Sequence, residues 1–261
     1  MRKRQWQAKP RSRGFRGAES DPRRERQTDA VLYGWHTVTA ALANPQRRIH
    51  RLLVTENALR RLSEERIELP KTLEVVRPDA IAARLTPDAV HQGLLAEAAP
   101  LPSPAIEDLA ESGLVLVLDQ ITDPHNVGAI LRTAAAFAVA AIVTTARHSP
   151  EATGVLAKSA SGALELVPIV TVQNLARGID TLKERGYSVV GLDSEAADEL
   201  AAMALHPPLA LVLGAEGKGL RQGTRAACGR LARLDLPGAI KSLNVSNAAT
   251  LALYIASRAI A

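Results

Sequence analysis

From Leu114 to the C-terminus, short apolar runs alternate with helical segments, and this pattern leaves few folds open. The run Leu114–Leu118 (LVLVL) is apolar at every position, as a strand must be when both faces of its sheet are covered. Further strands are expected at Ala141–Thr144, Glu165–Ile169, Ser188–Leu192, Leu209–Leu213 and Arg230–Leu236. Helices are expected at Val127–Phe137, Thr153–Ser159, Leu175–Glu184, Arg221–Cys228 and Val245–Ala259. Such alternation predicts an α/β fold, a parallel sheet with helices on both sides. Ligands of these sheets bind outside the carboxyl ends of the strands.

The preceding segment, 30–98, reads as a smaller α/β unit. Ile49–Thr55, Leu73–Val76 and a short run at Leu94–Ala96 are strand-like, while Thr37–Leu42, Ala58–Arg66 and Asp79–Leu85 have helical composition. Three prolines in Pro100–Pro104 (PLPSP) forbid helix and mark a linker, 99–112, before the larger domain at 113–261. Residues 1–29 hold 10 of the 32 basic and 4 of the 27 acidic residues. The folded part is therefore nearly neutral, and the net charge of +5 resides in an Arg-, Gly- and Pro-rich tail that is expected to be disordered. That tail either grips RNA phosphates or serves as a solubilising arm; Trp6 and Phe15, set among the arginines, favour the first. A single cysteine, Cys228, excludes an internal disulfide and a cysteine-cluster zinc site and suits a cytoplasmic protein. No apolar stretch is long enough for a membrane span, and the six scattered histidines show no metal-ligand spacing, so no metal is expected.

Three strand ends carry loops rich in glycine or polar residues. Asp119–Arg132 (DQITDPHNVGAILR) holds an Asp-Pro turn signal and Asn126, a plausible helix N-cap, with Arg132 six residues on, close to two turns and roughly on Asn126's side. Arg132 is a lone guanidinium on an Ala-rich helix, which suits a fixed anionic partner such as an RNA phosphate. Gly214–Leu220 (GAEGKGL) resembles a nucleotide loop but fails both common fingerprints. Lys218 is followed by Gly219 rather than a hydroxyl residue, and the glycines at 214, 217 and 219 do not follow the dinucleotide spacing. Glu216 within it would repel a phosphate; it either favours a cationic ligand or orients the loop itself. Pro237–Asn247 (PGAIKSLNVSN) crowds Lys241, Ser242, Asn244, Ser246 and Asn247 before an apolar helix. One of these residues can cap that helix, which leaves the others unexplained.

Taken in order, N-x-G-x-x-x-R at Asn126–Arg132, G-x-E-G-x-G at Gly214–Gly219 and S-L-N-V-S at Ser242–Ser246 resemble the SpoU family of the SPOUT methyltransferase superfamily. The resemblance continues through Ala157–Glu165 (AKSASGALE) and covers 113–261. Tyr33–Val38 (YGWHTV) and the IHRLLVT run are similar to the substrate-binding domain of bacterial 23S rRNA guanosine 2′-O-methyltransferases. The resemblance implies a C-terminal trefoil knot, S-adenosylmethionine as cofactor, RNA as substrate, 23S rRNA in preference to tRNA, and a homodimer. No DNA partner and no membrane are expected. It also implies a catalytic set of Arg132, Asn126, Glu216, Asn244 and Ser246. The cofactor would meet Gly214, Ala215, Glu216, Gly217, Leu234, Leu236, Ser242, Leu243 and Asn244. Relatives usually carry Ile-Pro-Met where this chain has Leu234-Asp235-Leu236. Two other classes stay open at this point. One is an RNA-binding protein without activity, which would have no cofactor affinity; the other is a nucleotide-dependent oxidoreductase or kinase, disfavoured by the missing fingerprints.

Overall fold

The computed structural model describes residues 29–146 and 154–260. The basic tail, apart from Asp29, therefore lies outside the described residues, as does Thr153 of the helix expected at Thr153–Ser159. Among the described residues the chain builds two sheets.

The first sheet contains β1 (Ala30–Tyr33), β2 (Ile49–Val54), β3 (Leu73–Val75) and β4 (Leu94–Ala98) in the order β1-β4-β2-β3. β4 pairs antiparallel with β1 and β2, while β2 and β3 run parallel. Three helices accompany it: α1 (Trp35–Ala43), α2 (Glu56–Glu64) and α3 (Pro78–Ala82). The α2 helix begins where Thr55 accepts a hydrogen bond from the Ala58 N–H, the side-chain cap that such a start requires. β1 is an addition to the sequence reading; four residues are too few to show a period, and only pairing with β4 defines them as a strand. The helix expected at Asp79–Leu85 is shorter, because Arg84 and Leu85 donate to carbonyls three residues back instead of four.

The second sheet has six strands, all parallel: β5 (Leu114–Asp119), β6 (Ala141–Thr145), β7 (Ile169–Val172), β8 (Ser188–Leu192), β9 (Leu209–Gly214) and β10 (Arg230–Ala232). Their order is β10-β8-β9-β5-β6-β7. Helices α4 (Pro124–Ala136), α5 (Gly154–Ala160) and α8 (Val245–Ile260) cover one face, and α6 (Leu175–Glu184) and α7 (Gln222–Ala227) the other. β5 shows why its sequence is uniformly apolar: Leu114, Leu116 and Leu118 enter the core under α4 and α8, while Val115 and Val117 enter the core under α6. This is the α/β architecture that the alternation predicted.

Two strands depart from expectation. Glu165–Ile169 splits into a 3₁₀ turn at Ala163–Glu165 and a strand that starts only at Ile169, since Pro168 has no N–H to give to a ladder. The strand expected to run from Arg230 to Leu236 stops at Ala232. Beyond it the backbone turns to bond 198–200, where Arg233 N–H donates to the Asp198 carbonyl and Leu200 N–H to the Arg233 carbonyl.

The two units share one continuous hydrophobic core, in which Leu32, Trp35, Val38 and Leu52 meet Leu156, Ala157 and Ala160 of α5. Glycines permit the close approach: a Cβ on Gly154 would stand 2.6 Å from the Tyr33 ring, and one on Gly162 2.8 Å from the Ala40 Cβ. A buried ion pair spans the seam. Glu165 accepts from Arg47 Nη2 at 2.5 Å and from Asn44 Nδ2 at 2.7 Å, and Arg47 Nη1 donates to the Ala99 carbonyl at the start of the linker. The two charged side chains are only 1% and 3% exposed. Removing one partner would strand the other charge in a low dielectric. Glu165→Ala is therefore expected to destabilise the protein by about 3–5 kcal/mol, read as a fall in the urea unfolding midpoint.

Candidate active site

Helix α8 organises the site. Its first N–H groups lack partners within the helix, and two side chains from different segments satisfy them. Asn244 is the cap, its Oδ1 accepting from Ser246 N–H at 2.9 Å and from the Ser246 hydroxyl at 2.6 Å. Glu216, from the glycine-rich loop after β9, accepts from Val245 N–H at 3.0 Å through Oε1. A carboxylate here also complements the positive end of the helix dipole. Of the two roles open to Glu216 from sequence, one oxygen thus performs the orienting one.

Asn244 also reaches the third loop, its Nδ2 donating to Asn126 Oδ1 at 3.0 Å. Asn126 is free for this because it does not cap α4, contrary to the sequence reading. Asp123 does, accepting from His125 N–H at 3.0 Å, with Pro124 as the first helical residue. Proline suits that position, where no N–H is needed, and Asn126 then falls inside the first turn. Asn126, Glu216, Asn244 and Ser246 consequently form one connected group at the C-terminal edge of the sheet.

Beside this group opens a cleft of 310 Å³ over the ends of β8, β9 and β10. Its walls include Gly214, Ala215, Glu216, Gly217, Leu234 and Leu236, with Ser242 and Leu243 on the α8 side. Both leucines of the variant Leu234-Asp235-Leu236 segment thus line it. The glycine-rich loop closes on itself at its neck: Gly219 N–H donates to the Ala215 carbonyl at 2.9 Å, and a Cβ on Gly214 would lie 2.2 Å from the Gly219 carbonyl carbon. Gly217 and Gly219 have positive φ values of 71° and 64°, where an L side chain is strained. These glycines are structural necessities of the turn.

Arg132 is not part of the group within one chain. Six residues at about 100° each leave it about 120° around α4 from Asn126, so the sequence reading of a shared side fails. Arg132 is exposed and, among the described residues, has no ion-pair partner. The bond between the Thr133 and Thr250 hydroxyls at 3.2 Å ties α4 to α8 next to it.

Two further features lie outside the catalytic and cofactor sets expected from sequence. Asp119, fully buried at the end of β5, accepts from Arg221 N–H at 2.9 Å and from Arg221 Nε at 2.7 Å, pinning the exit of the glycine-rich loop to the central strand. A carboxylate ending a fully apolar strand was the available signal. Asp193 and Ser194, at the end of β8, also line the cleft. Burial raises the Asp193 pKa, but the Glu195 N–H and the Arg225 guanidinium outweigh it and hold the carboxyl below its usual value.

Comparison with known proteins agrees with this geometry. The model of the SpoU rRNA methylase family matches residues 113–254, and a model described as RNA 2′-O ribose methyltransferase substrate binding matches 31–104. The 23S rRNA (guanosine-2′-O-)-methyltransferase RlmB of Pseudomonas putida is 40% identical over 240 residues, covering 87% of this chain and 95% of that protein. Among solved structures, an RNA 2′-O ribose methyltransferase superposes with a TM-score of 0.72 at 26% identity, covering 89% of each chain. The SpoU methyltransferase AviRb of Streptomyces viridochromogenes, solved with AdoMet, has the same fold with a TM-score of 0.77 at 22% identity, covering 89% of this chain and 91% of that one. A matched model that spans more than half of the chain, and a relative at 40% identity over nearly its whole length, establish that this chain belongs to the SpoU rRNA methylase family.

Proposed function

We propose that this chain transfers the methyl group of S-adenosylmethionine to a ribose 2′-hydroxyl of RNA, and that its target is a guanosine of 23S rRNA. The observation that carries this reading is the cleft over β8, β9 and β10 opening beside the linked Asn126, Asn244 and Ser246 side chains. The rRNA target rests on the relatives, whose nearly full-length match includes the N-terminal unit. In this reading 30–98 holds RNA, 99–112 joins the units and 113–261 carries the chemistry, in the cytoplasm. The knot that the family resemblance implies would lie in that last domain.

The cleft fits the cofactor in character. Leu234, Leu236 and Leu243 offer apolar walls to an adenine, and the bare backbone at Gly214–Gly217 offers polar groups at close range. S-Adenosylmethionine supplies an electrophilic methyl on a sulfonium whose charge vanishes on transfer. The protein's part is alignment and help with a weakly acidic proton. Asn126, Asn244 and Ser246 orient the ribose, and Glu216 keeps the cofactor loop in register with α8. Arg132 contributes a planar, positively charged guanidinium. It lowers the energy of the developing 2′-oxyanion and orients the neighbouring phosphate, which assists proton removal.

In this reading Arg132 acts across a contact with a second copy of the chain. It sits beside the Thr133–Thr250 contact, and Tyr254, one turn along α8 from Thr250, is 55% exposed. An isologous dimer packed on this α4–α8 face would cover the tyrosine and bring Arg132 against the partner's cleft.

Three outcomes follow. A ribose-methylation map of total RNA with and without the gene should lose one guanosine mark in 23S rRNA; loss of a tRNA mark instead would redirect the substrate. Gly214→Ala should weaken S-adenosylmethionine binding by about 100-fold in calorimetry, because the added methyl collides with the loop neck. Equal mixing of Arg132→Ala and Asn244→Ala protomers, each inactive alone, should recover about a quarter of wild-type turnover. Half the dimers are then mixed, each with one intact composite site. No recovery would mean that each protomer uses its own arginine.

A further inference from the structure

Beyond the residues of the reaction itself, the seam between the two units holds a cation with no assigned role. We propose that Lys158 binds a backbone phosphate of the substrate RNA where the strand crosses from the N-terminal unit to the methylation site. This inference rests on the RNA-methyltransferase reading above. Lys158 belongs to α5 of the larger unit, yet its ammonium extends into the smaller one and donates to Gln92 Oε1 at 3.2 Å. That oxygen is already an acceptor for Trp35 N–H at 2.9 Å, so a neutral and shared carbonyl is the ammonium's only hydrogen-bond partner among the described residues. The amine occupies the space that Gly34 leaves open, since a Cβ there would stand 2.3 Å from Nζ.

Among the described residues Lys158 forms no ion pair with a carboxylate, and its ammonium is held at the seam by the Gln92 carbonyl alone. Partial burial pushes its pKa below the usual lysine value. The seam thus holds a partly desolvated ammonium without the counter-charge that normally offsets such a position. A phosphate oxygen would supply it through a charge-assisted hydrogen bond.

Its location says which phosphate. The adjacent residue, Ser159, contacts His125 Nδ1 through its hydroxyl at 3.2 Å, and His125 directly precedes Asn126. A Cβ on Gly128 would lie 2.4 Å from that of Ser159, so α4 and α5 are in backbone-close contact and Lys158 keeps a fixed position relative to the Asn126–Asn244 pair. On the other side, the buried Arg47–Glu165 pair and the bond from the Thr37 hydroxyl to the Ala157 carbonyl at 3.2 Å hold the smaller unit still. RNA held by that unit and presented to Asn126 passes over this amine. A phosphate contact here makes the distance between the two units part of substrate selection.

The test uses the full-length protein, 23S rRNA transcript, and the variants Lys158→Gln and Lys158→Arg. For Lys158→Gln, the slope of log RNA affinity against log salt should become shallower by about one, and the KM for RNA should rise by about five- to tenfold. Its S-adenosylmethionine affinity should stay within twofold of wild type. Lys158→Arg should restore the slope. An unchanged slope and KM in Lys158→Gln would overturn the proposal. So would a fall in melting temperature with the slope intact, since that marks the lysine as a strut between units. Failure of the wild-type protein to methylate any rRNA would instead defeat the function reading, which keeps the two apart.

Discussion

A helix cannot satisfy its own first N–H groups, and the fold of this site follows from how α8 meets that requirement. Glu216 and Asn244 take those donors, and each brings its own loop with it. Because Asn244 uses its oxygen on α8 and its amide on Asn126, the start of α4 is drawn into the same group. A local need for hydrogen bonds thereby becomes a long-range constraint that joins segments 118 residues apart in the chain. Asparagine can do this because it has both donor and acceptor capacity; aspartate in its place would present two acceptors to Asn126 Oδ1.

The sheet supplies the frame on which that constraint acts. Parallel strands send their carboxyl ends to one edge, so loops after β5, β8, β9 and β10 collect there without further instruction. Asp119 then fixes the most demanding of them. Its carboxylate, sealed at the end of β5, holds Arg221 and so the exit of a loop whose neck admits no Cβ at Gly214. The polar group that adjoins the cleft is therefore braced from beneath by a buried charge as well as linked across its top. A polar group held at this many points keeps its geometry without reorganising.

The smaller unit is attached with comparable rigidity. A Pro-rich linker suggests independent motion, but Glu165 and Arg47 bury an ion pair across the seam and Arg47 holds the linker's first carbonyl. Hydrophobic contact alone would tolerate sliding; a fully buried charge pair does not, since any displacement leaves charges without partners. The orientation of the smaller unit relative to the cleft is in this way written into the packing.

Much of this was legible in the sequence. The apolar runs of β5, β8 and β9 and the length of α6 declared the parallel sheet, because burial on both faces forces such composition. The three loops declared the site, because glycine, asparagine and serine crowd together only where a backbone is tightly turned and polar groups converge. What the sequence left open depended on partners distant in the chain. Asn126 reads as the cap of α4 by sequence, yet Asp123 takes that place and Asn126 pairs with Asn244; Glu216 could face a cation or α8; Glu165 belonged to a strand by pattern and to Arg47 in the structure. Arg132 stood near Asn126 by count and away from it by helical angle. Periodicity and turn chemistry act over a few residues, so they determine elements, whereas the choice among partners for a polar side chain is made only when packing brings those partners within hydrogen-bond reach.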